Sequence, residues 1–296
     1  MDLLALDEAG LRLLVRAALV AVLLGICGGL LGCVLLARRL SLLADALAHS
    51  LLPGIGVAWI LCGMSWTAIL LGGLGAGLAT ALCAGLLSRL TRLAEDAAYA
   101  GLLSAMLAVG VLLISWKGSP GDLQHLLFGQ ILAVGRADLV LAGIATLATV
   151  GAFTIGYRAI LLECFDADFH RACGGRGALV HLGLLGLVVV VLVTALHSLG
   201  TLLALGLFTL PAVSASLWCE RWHRMLVLSA SLAAAGAVVG MGASLMTGAP
   251  SGACIVTCLG LVFAGSCVAA PNGLLQRGRH HHHQREDAAD HCERSV

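Results

Sequence analysis

Charge is what this chain has least of. Asp, Glu, Lys and Arg make up 11% of its 296 residues, against 60% hydrophobic residues. A water-soluble domain carries about 25% charged residues, so there is too little polar material here to cover a water-facing surface. Lysine occurs once, at Lys117, and no GxxxxGK[ST] stretch is present, which excludes ATP binding by this chain through a P-loop. HExxH and GxSxG are missing as well, and with them a zincin-type membrane protease and a nucleophile-elbow hydrolase. Although there are 11 cysteines, no two are spaced as CxxC, so a zinc ribbon has no support. Cys27, Cys33, Cys62, Cys83, Cys254, Cys258 and Cys267 lie in or beside apolar runs, where a thiol behaves as a small hydrophobe. No long internal period repeats, and no inserted soluble domain is visible. The first apolar run, 13–37, is too long for a signal-peptide core and has no small-residue cleavage site after it.

What is there in abundance is apolar sequence in lengths near the ~20 residues a helix needs to cross a bilayer. Nine runs stand between polar punctuation: 13–37, 42–62, 66–88, 97–115, 137–157, 178–196, 201–218, 225–246 and 252–270. The expectation is an all-α polytopic membrane protein of nine transmembrane helices, or eight with one half-span re-entrant. Placing the N-terminus outside puts Arg38, Arg39, Arg89, Arg92, Arg158, Arg171, Arg176, Arg221, Arg224 and the arginines of the tail on the inner side. Only Arg12, Arg16, Lys117 and Arg136 are left outside, and the positive-inside rule then assigns the C-terminus to the cytoplasm. The organisation expected is a short extracytoplasmic N-terminus over 1–12, a membrane domain over 13–270 and a cytoplasmic His-rich tail over 271–296. The longest interior cytoplasmic connection is 158–177. Glycines at four-residue spacing, such as Gly73 and Gly77, suit helices packed backbone to backbone.

Against this background Asp45 and His49 are conspicuous. An aspartate at the centre of a membrane helix costs about 2.5–3.5 kcal/mol on insertion scales, so it calls for a role. Spacing of i,i+4 puts carboxylate and imidazole on one helix face. Pro53-Gly54 follows one turn later, where a helix break would act as a gate and free backbone carbonyls beside the pair. Pro211 is a second candidate break. Oxygen and imidazole donors together suit Mn²⁺ or Zn²⁺. The residues alone leave three readings open: a metal-ligand pair, an internal hydrogen bond joining helices, and a proton relay. Asp122 and His125 form a candidate outer entrance. His280, His281, His282 and His283 form a candidate metal-binding site in the tail, with a passive polar tail as the alternative. A helix within 158–177 would present Phe165 and Phe169, flanked by Glu163 and Asp166, to a groove on a partner. The function is then either the conduit of a machine with its motor elsewhere or a stand-alone secondary metal transporter with Asp45 and His49 as proton relay. A metal-dependent membrane hydrolase is the least supported choice, with Asp45 the sole candidate base.

The stretch Arg38-Arg39-Leu-Ser-Leu-Leu-Ala-Asp45-Ala-Leu-Ala-His49-Ser-Leu-Leu-Pro53-Gly54 resembles the signature of permease subunits of zinc/manganese/iron ABC importers. Four further stretches agree in order: those beginning at Asp122, Phe165 and Gly200, and Gly248-Ala-Pro250-Ser-Gly252. Ala44 departs from the pattern, where glycine is usual, and so does Cys173-Gly174-Gly175. The resemblance, over about 15–270, implies a type II-like importer permease with no catalytic residue and no resident cofactor. It implies a transported divalent ion, zinc or manganese or else iron, passing over Asp45 and His49. It also implies two cytoplasmic ATP-binding subunits, an extracytoplasmic metal-binding protein, and a permease dimer formed with itself or a paralogue. Residues 158–177 become the coupling segment that docks on the ATPase, with Glu163, Phe165, Asp166 and Phe169 as contact residues. The setting implied is the bacterial inner membrane; lipid surrounds the chain and no nucleic acid is expected.

Overall fold

Apolar segments in lipid must pair every backbone group internally, and a helix does so within one segment. The computed structural model describes residues 8–40, 43–63, 66–91, 94–117, 134–166, 169 and 177–271. They form ten helices: α1 Glu8–Ala37, α2 Leu43–Cys62, α3 Trp66–Leu90, α4 Glu95–Lys117, α5 Arg136–Ile155, α6 Tyr157–Phe165, α7 Gly177–Leu199, α8 Thr201–Trp218, α9 Trp222–Thr247 and α10 Ser251–Ala269. All but α6 are long and apolar enough to cross a membrane, so among the described residues the count is nine. The eight-span alternative is set aside.

The expected boundaries hold within three residues except at the start of α1, which begins five residues earlier, at Glu8, and there is one change of kind. The fifth run ends at Ile155, Gly156 interrupts it, and the chain starts the separate nine-residue helix α6. The expected connection 158–177 therefore begins as ordered helix.

Close approaches between backbones set the directions. Gly29 of α1 meets Ser229 of α9 and Gly25 meets Ala233, so these two run antiparallel; Gly28 meets Leu207 and Gly32 meets Phe208, so α1 and α8 run parallel. Gly77 of α3 touches both Leu51 of α2 and Val189 of α7, and Gly73 lies near Ile55 and Val193. Leu51, Gly77 and Val189 thus share one level, and α3 runs opposite to α2 and α7. Helices α2, α3 and α4 form one cluster, α1, α8, α9 and α10 another, and α7 packs against both. Arg38 and Arg39 at the end of α1, Arg158 in α6, and Arg221 and Arg224 at the start of α9 all gather at one end of the bundle. Arg12, Arg16 and Arg136 belong to the other.

Neither predicted helix break occurs. Helix α2 runs through Pro53 and α8 through Pro211. A proline inside a helix withholds one hydrogen bond and still leaves the helix intact when neighbours compensate. The lost bonds are those to the carbonyls of His49 and Leu207, four residues back. The Leu207 carbonyl lies against Gly28, where a Cβ would stand 2.9 Å from its oxygen. Gly54 is likewise a packing residue: its Cβ would fall 2.2 Å from the Gly72 carbonyl oxygen, and that of Gly72 would fall 2.5 Å from the Gly54 oxygen. The real interruption is Gly200, at φ 84, between α7 and α8. A positive φ of this kind suits glycine, which has no Cβ to clash.

Candidate metal path

The first two-thirds of helix α2 are sheathed by the bundle. From Leu43 to Gly56 every residue is buried except Asp45, His49 and Gly54. Ala44, Ala46, Leu47, Ala48, Leu51 and Leu52 pack inward, and Ser50 donates its hydroxyl back to the Leu47 carbonyl at 2.8 Å. Apart from Gly54, the opening in this sheath is made by a carboxylate and an imidazole. Their side chains are 42% and 21% exposed in the single protomer.

His49 Nε2 and Asp45 Oδ1 are 3.4 Å apart. That exceeds the ordinary 2.7–3.2 Å of an N–H···O hydrogen bond. It matches the roughly 3.0–3.4 Å between two donor atoms that share one cation at about 2.1 Å from each. The other ring nitrogen, His49 Nδ1, is buried with no hydrogen-bond partner. Asp45 lies in the first turn of α2, where the helix dipole favours a negative charge. One turn on, Pro53 has no N–H to offer the His49 carbonyl. A carboxylate, an imidazole and a carbonyl lacking its helical donor thus come from one face of one helix. Among the described residues no group of three or more His, Cys, Asp or Glu side chains converges, so these residues of one protomer offer two side-chain ligands at this place.

The other expected residues fall as follows. Asp122, His125 and His280 to His283 lie outside the described residues. Phe165 is 64% exposed and Phe169 54%, at the arginine-rich end. The Phe165 ring also meets Trp222 of α9 edge-on, with centroids 5.4 Å apart. Asp166 Oδ1 accepts a hydrogen bond from the Phe169 N–H at 2.9 Å, which fixes the turn between the two aromatics. Glu163 is placed differently from the expectation. Its side chain is 3% exposed and points into the bundle, where Oε1 lies 3.8 Å from the guanidinium of Arg38. A carboxylate so enclosed needs a cation beside it, and it takes one from α1 rather than from a partner protein. The neighbouring Cys164 thiol is pushed up to about 11, chiefly by burial, with Arg38 pulling it down and Glu163 adding to the rise.

Sequence reasoning missed two contacts. Arg38 hydrogen-bonds His181 Nδ1 of α7. At the opposite end of the bundle, His197 Nε2 of α7 lies 3.7 Å from Asp138 Oδ1 of α5, while Asp138 Oδ2 accepts from the Gly135 N–H at 2.8 Å. The signal for both was an ionisable residue within one turn of a span end; the partner lay too far along the chain to be paired with it.

The family model described as the ABC 3 transport family matches residues 11–270. The chain belongs to the ABC 3 transport family. It is 31% identical over 261 residues to the manganese transport system membrane protein MntC of Listeria monocytogenes, covering 88% of this chain and 92% of that one. It is 28% identical to a probable iron transport system membrane protein of Haemophilus influenzae, over 81% and 88% of the two chains. Among solved structures, PsaBC from Streptococcus pneumoniae in complex with Fab matches with a TM-score of 0.78 and 30% identity, over 91% of this chain and 96% of that one. The ABC 3 match covers every helix described above, so the Asp45/His49 opening belongs to the transport domain itself.

Proposed function

We propose that this ABC 3 chain is the membrane-spanning permease subunit of an ATP-driven importer of divalent metal ions. The observation that carries the proposal is the Asp45/His49 pair, set 3.4 Å apart in the opening of the otherwise buried first half of α2. A carboxylate 42% exposed on a spanning helix is costly against lipid, so a second copy or a water-filled path must cover it. A symmetric dimer with this face at the interface brings two carboxylates and two imidazoles to one place. Four such donors meet the coordination a divalent ion needs while it sheds water.

The ion is manganese in this reading. The mixed oxygen and nitrogen set suits Mn²⁺ and Fe²⁺ as well as Zn²⁺, and the MntC relative is named for manganese. Zinc and iron remain the competitors in the assay below. Energy comes from two separate ATP-binding subunits in the cytoplasm, because this chain has no P-loop. The exposed Phe165 and Phe169, beside the arginine cluster, form the surface those subunits grip. A metal-binding protein delivers the ion at the opposite face. The setting is the bacterial inner membrane, with the arginine-rich end and the C-terminus in the cytoplasm.

The test is uptake of radioactive manganese by cells expressing the complete transporter. Asp45→Asn keeps the side chain's shape and removes its charge. Uptake should fall by about 100-fold, as expected when a ligand that offsets a cation is lost. Membrane abundance and copurification with the ATP-binding subunits should stay unchanged. Normal uptake in Asp45→Asn at normal abundance rules out the ligand role.

A further inference from the structure

Three helices meet at Arg38. Its guanidinium bonds His181 Nδ1 at the start of α7 and pairs with Glu163 of α6 at 3.8 Å. Arginine has only donors, so Nδ1 accepts and His181 carries its ring proton on Nε2. Glu163 is enclosed, and Arg38 itself is only 17% exposed, so this is not a surface pair held loosely in water.

What Arg38 is attached to matters as much as what it touches. It opens the turn that joins α1 to α2. Arg39 adopts φ 58, a left-handed conformation seldom taken by residues other than glycine. The turn is closed by Leu40 N–H donating to the Leu35 carbonyl at 2.9 Å and Arg39 N–H to the Leu36 carbonyl at 3.1 Å. Leu43 N–H then donates to the Leu40 carbonyl at 3.2 Å, and both leucines are buried. The last of these bonds ties the start of α2 directly to the residues that end α1. A displacement of Arg38 passes to Leu43, and Asp45 is two residues further.

At its other end the contact reaches a helix that has room to move. Gly156 separates α6 from α5, and an open apolar groove of about 400 Å³ lies between α5, α6 and α7, lined by Ile155, Ala159, Ile160, Val180, Leu184 and Leu187 among others. The outward side of α6 ends in Phe165, with Phe169 just beyond. One short helix therefore offers aromatics to the exterior and a carboxylate to the interior.

We propose that Glu163, Arg38 and His181 form a strut that carries movement of the α6 docking surface to the helix bearing Asp45 and His49. They are positioning residues and touch no metal. The proposal rests on the permease reading given above. A tilt of α6 toward the groove draws Glu163 with it, Glu163 draws Arg38, and the hydrogen bond from Leu43 to Leu40 passes the shift to the first turn of α2. His181 holds Arg38 on the line between the two. Broken, the strut lets the ATP-binding subunits dock and turn over without the site responding.

The experiment uses the full complex with its ATP-binding subunits in proteoliposomes. It measures manganese moved and ATP hydrolysed on the same samples. Glu163→Gln and Arg38→Gln should keep most of the hydrolysis while ions moved per ATP fall by about tenfold, an ordinary size for a coupling between sites. The exchange Arg38→Glu with Glu163→Arg should recover part of that ratio. His181→Gln, which retains an acceptor, should lose less than His181→Leu. A residue that only holds the fold lowers uptake and hydrolysis together with the amount of folded protein. An unchanged ratio in the variants that fold overturns the strut and leaves the permease reading intact. If the wild-type complex itself shows no ATP-dependent uptake, the permease reading fails instead. Should either single variant fail to assemble, the exchange and the two His181 variants decide the matter by the same ratio.

Discussion

Glycine at position 32 lets α1 lie directly on the backbone of α8. A Cβ there would stand 1.9 Å from the Phe208 carbonyl oxygen, and backbone cannot rotate out of the way as a side chain can. Gly143 of α5 and Gly260 of α10, by contrast, face open space. Composition alone gives all three the same standing, since 38 glycines are scattered through the chain. Only the structure separates those that allow contact from those that do not. Gly32→Ala should therefore separate two helices and destabilise the fold by about 1–3 kcal/mol, the usual cost of overpacking. Gly143→Ala should be neutral or slightly stabilising, because alanine is the better helix former. Thermal unfolding of the purified protein in detergent distinguishes them: the melting temperature drops for the first and not for the second. Equal melting temperatures would mean that α1 and α8 are not in backbone contact.

Among the elements, α2 shows what can be read in advance and what cannot. Asp45 and His49 were legible because a carboxylate and an imidazole stand out in an apolar run, and a spacing of four fixes their common face. Pro53-Gly54 was misread as a break. Residue types announce a possible breaker, but whether a helix breaks depends on neighbours, and here Gly72 and Gly110 press α3 and α4 against that turn. Helix α6 shows the same limit. Phe165, Phe169 and Asp166 lie on its open end as expected, whereas Glu163 turns inward to an arginine that sequence distance hides. The closest contact of that arginine, with His181, spans 143 positions. Docking should therefore depend on the aromatics. Phe165→Ala combined with Phe169→Ala should weaken copurification of the ATP-binding subunits by about tenfold or more, since an exposed aromatic at an interface centre contributes a few kcal/mol. Retention of the subunits by the double variant would move the docking surface elsewhere. Phe165 also packs on Trp222, so Phe169→Ala alone separates lost docking from a loosened α9.

For the molecule as a whole, nine crossings, the count among the described residues, would set the two ends of the membrane domain on opposite faces of the membrane. With the arginine-rich end in the cytoplasm, as the positive-inside rule expects, a reporter fused to the C-terminus should lie inside the cell. An enzyme active only in the cytoplasm should work there, and one active only outside should not; the opposite result would reverse the direction assigned to transport. The same odd count governs how a shared site is tested. Two copies cannot be joined end to end, because a linker from an inner C-terminus to an outer N-terminus would have to cross the bilayer. Copies with different affinity tags can instead be expressed together and mixed dimers isolated by two successive purifications. If each protomer carried its own complete site, a mixed dimer with one Asp45→Asn copy would keep half the uptake. If Asp45 and His49 are instead completed across a symmetric dimer, the remaining ligands are those of the partner protomer. One altered copy then spoils the site for both, and uptake should fall to ~10% or less of the unaltered dimer, consistent with losing one of four ligands to a cation in transit. Retention of half would show two independent paths and remove the shared site.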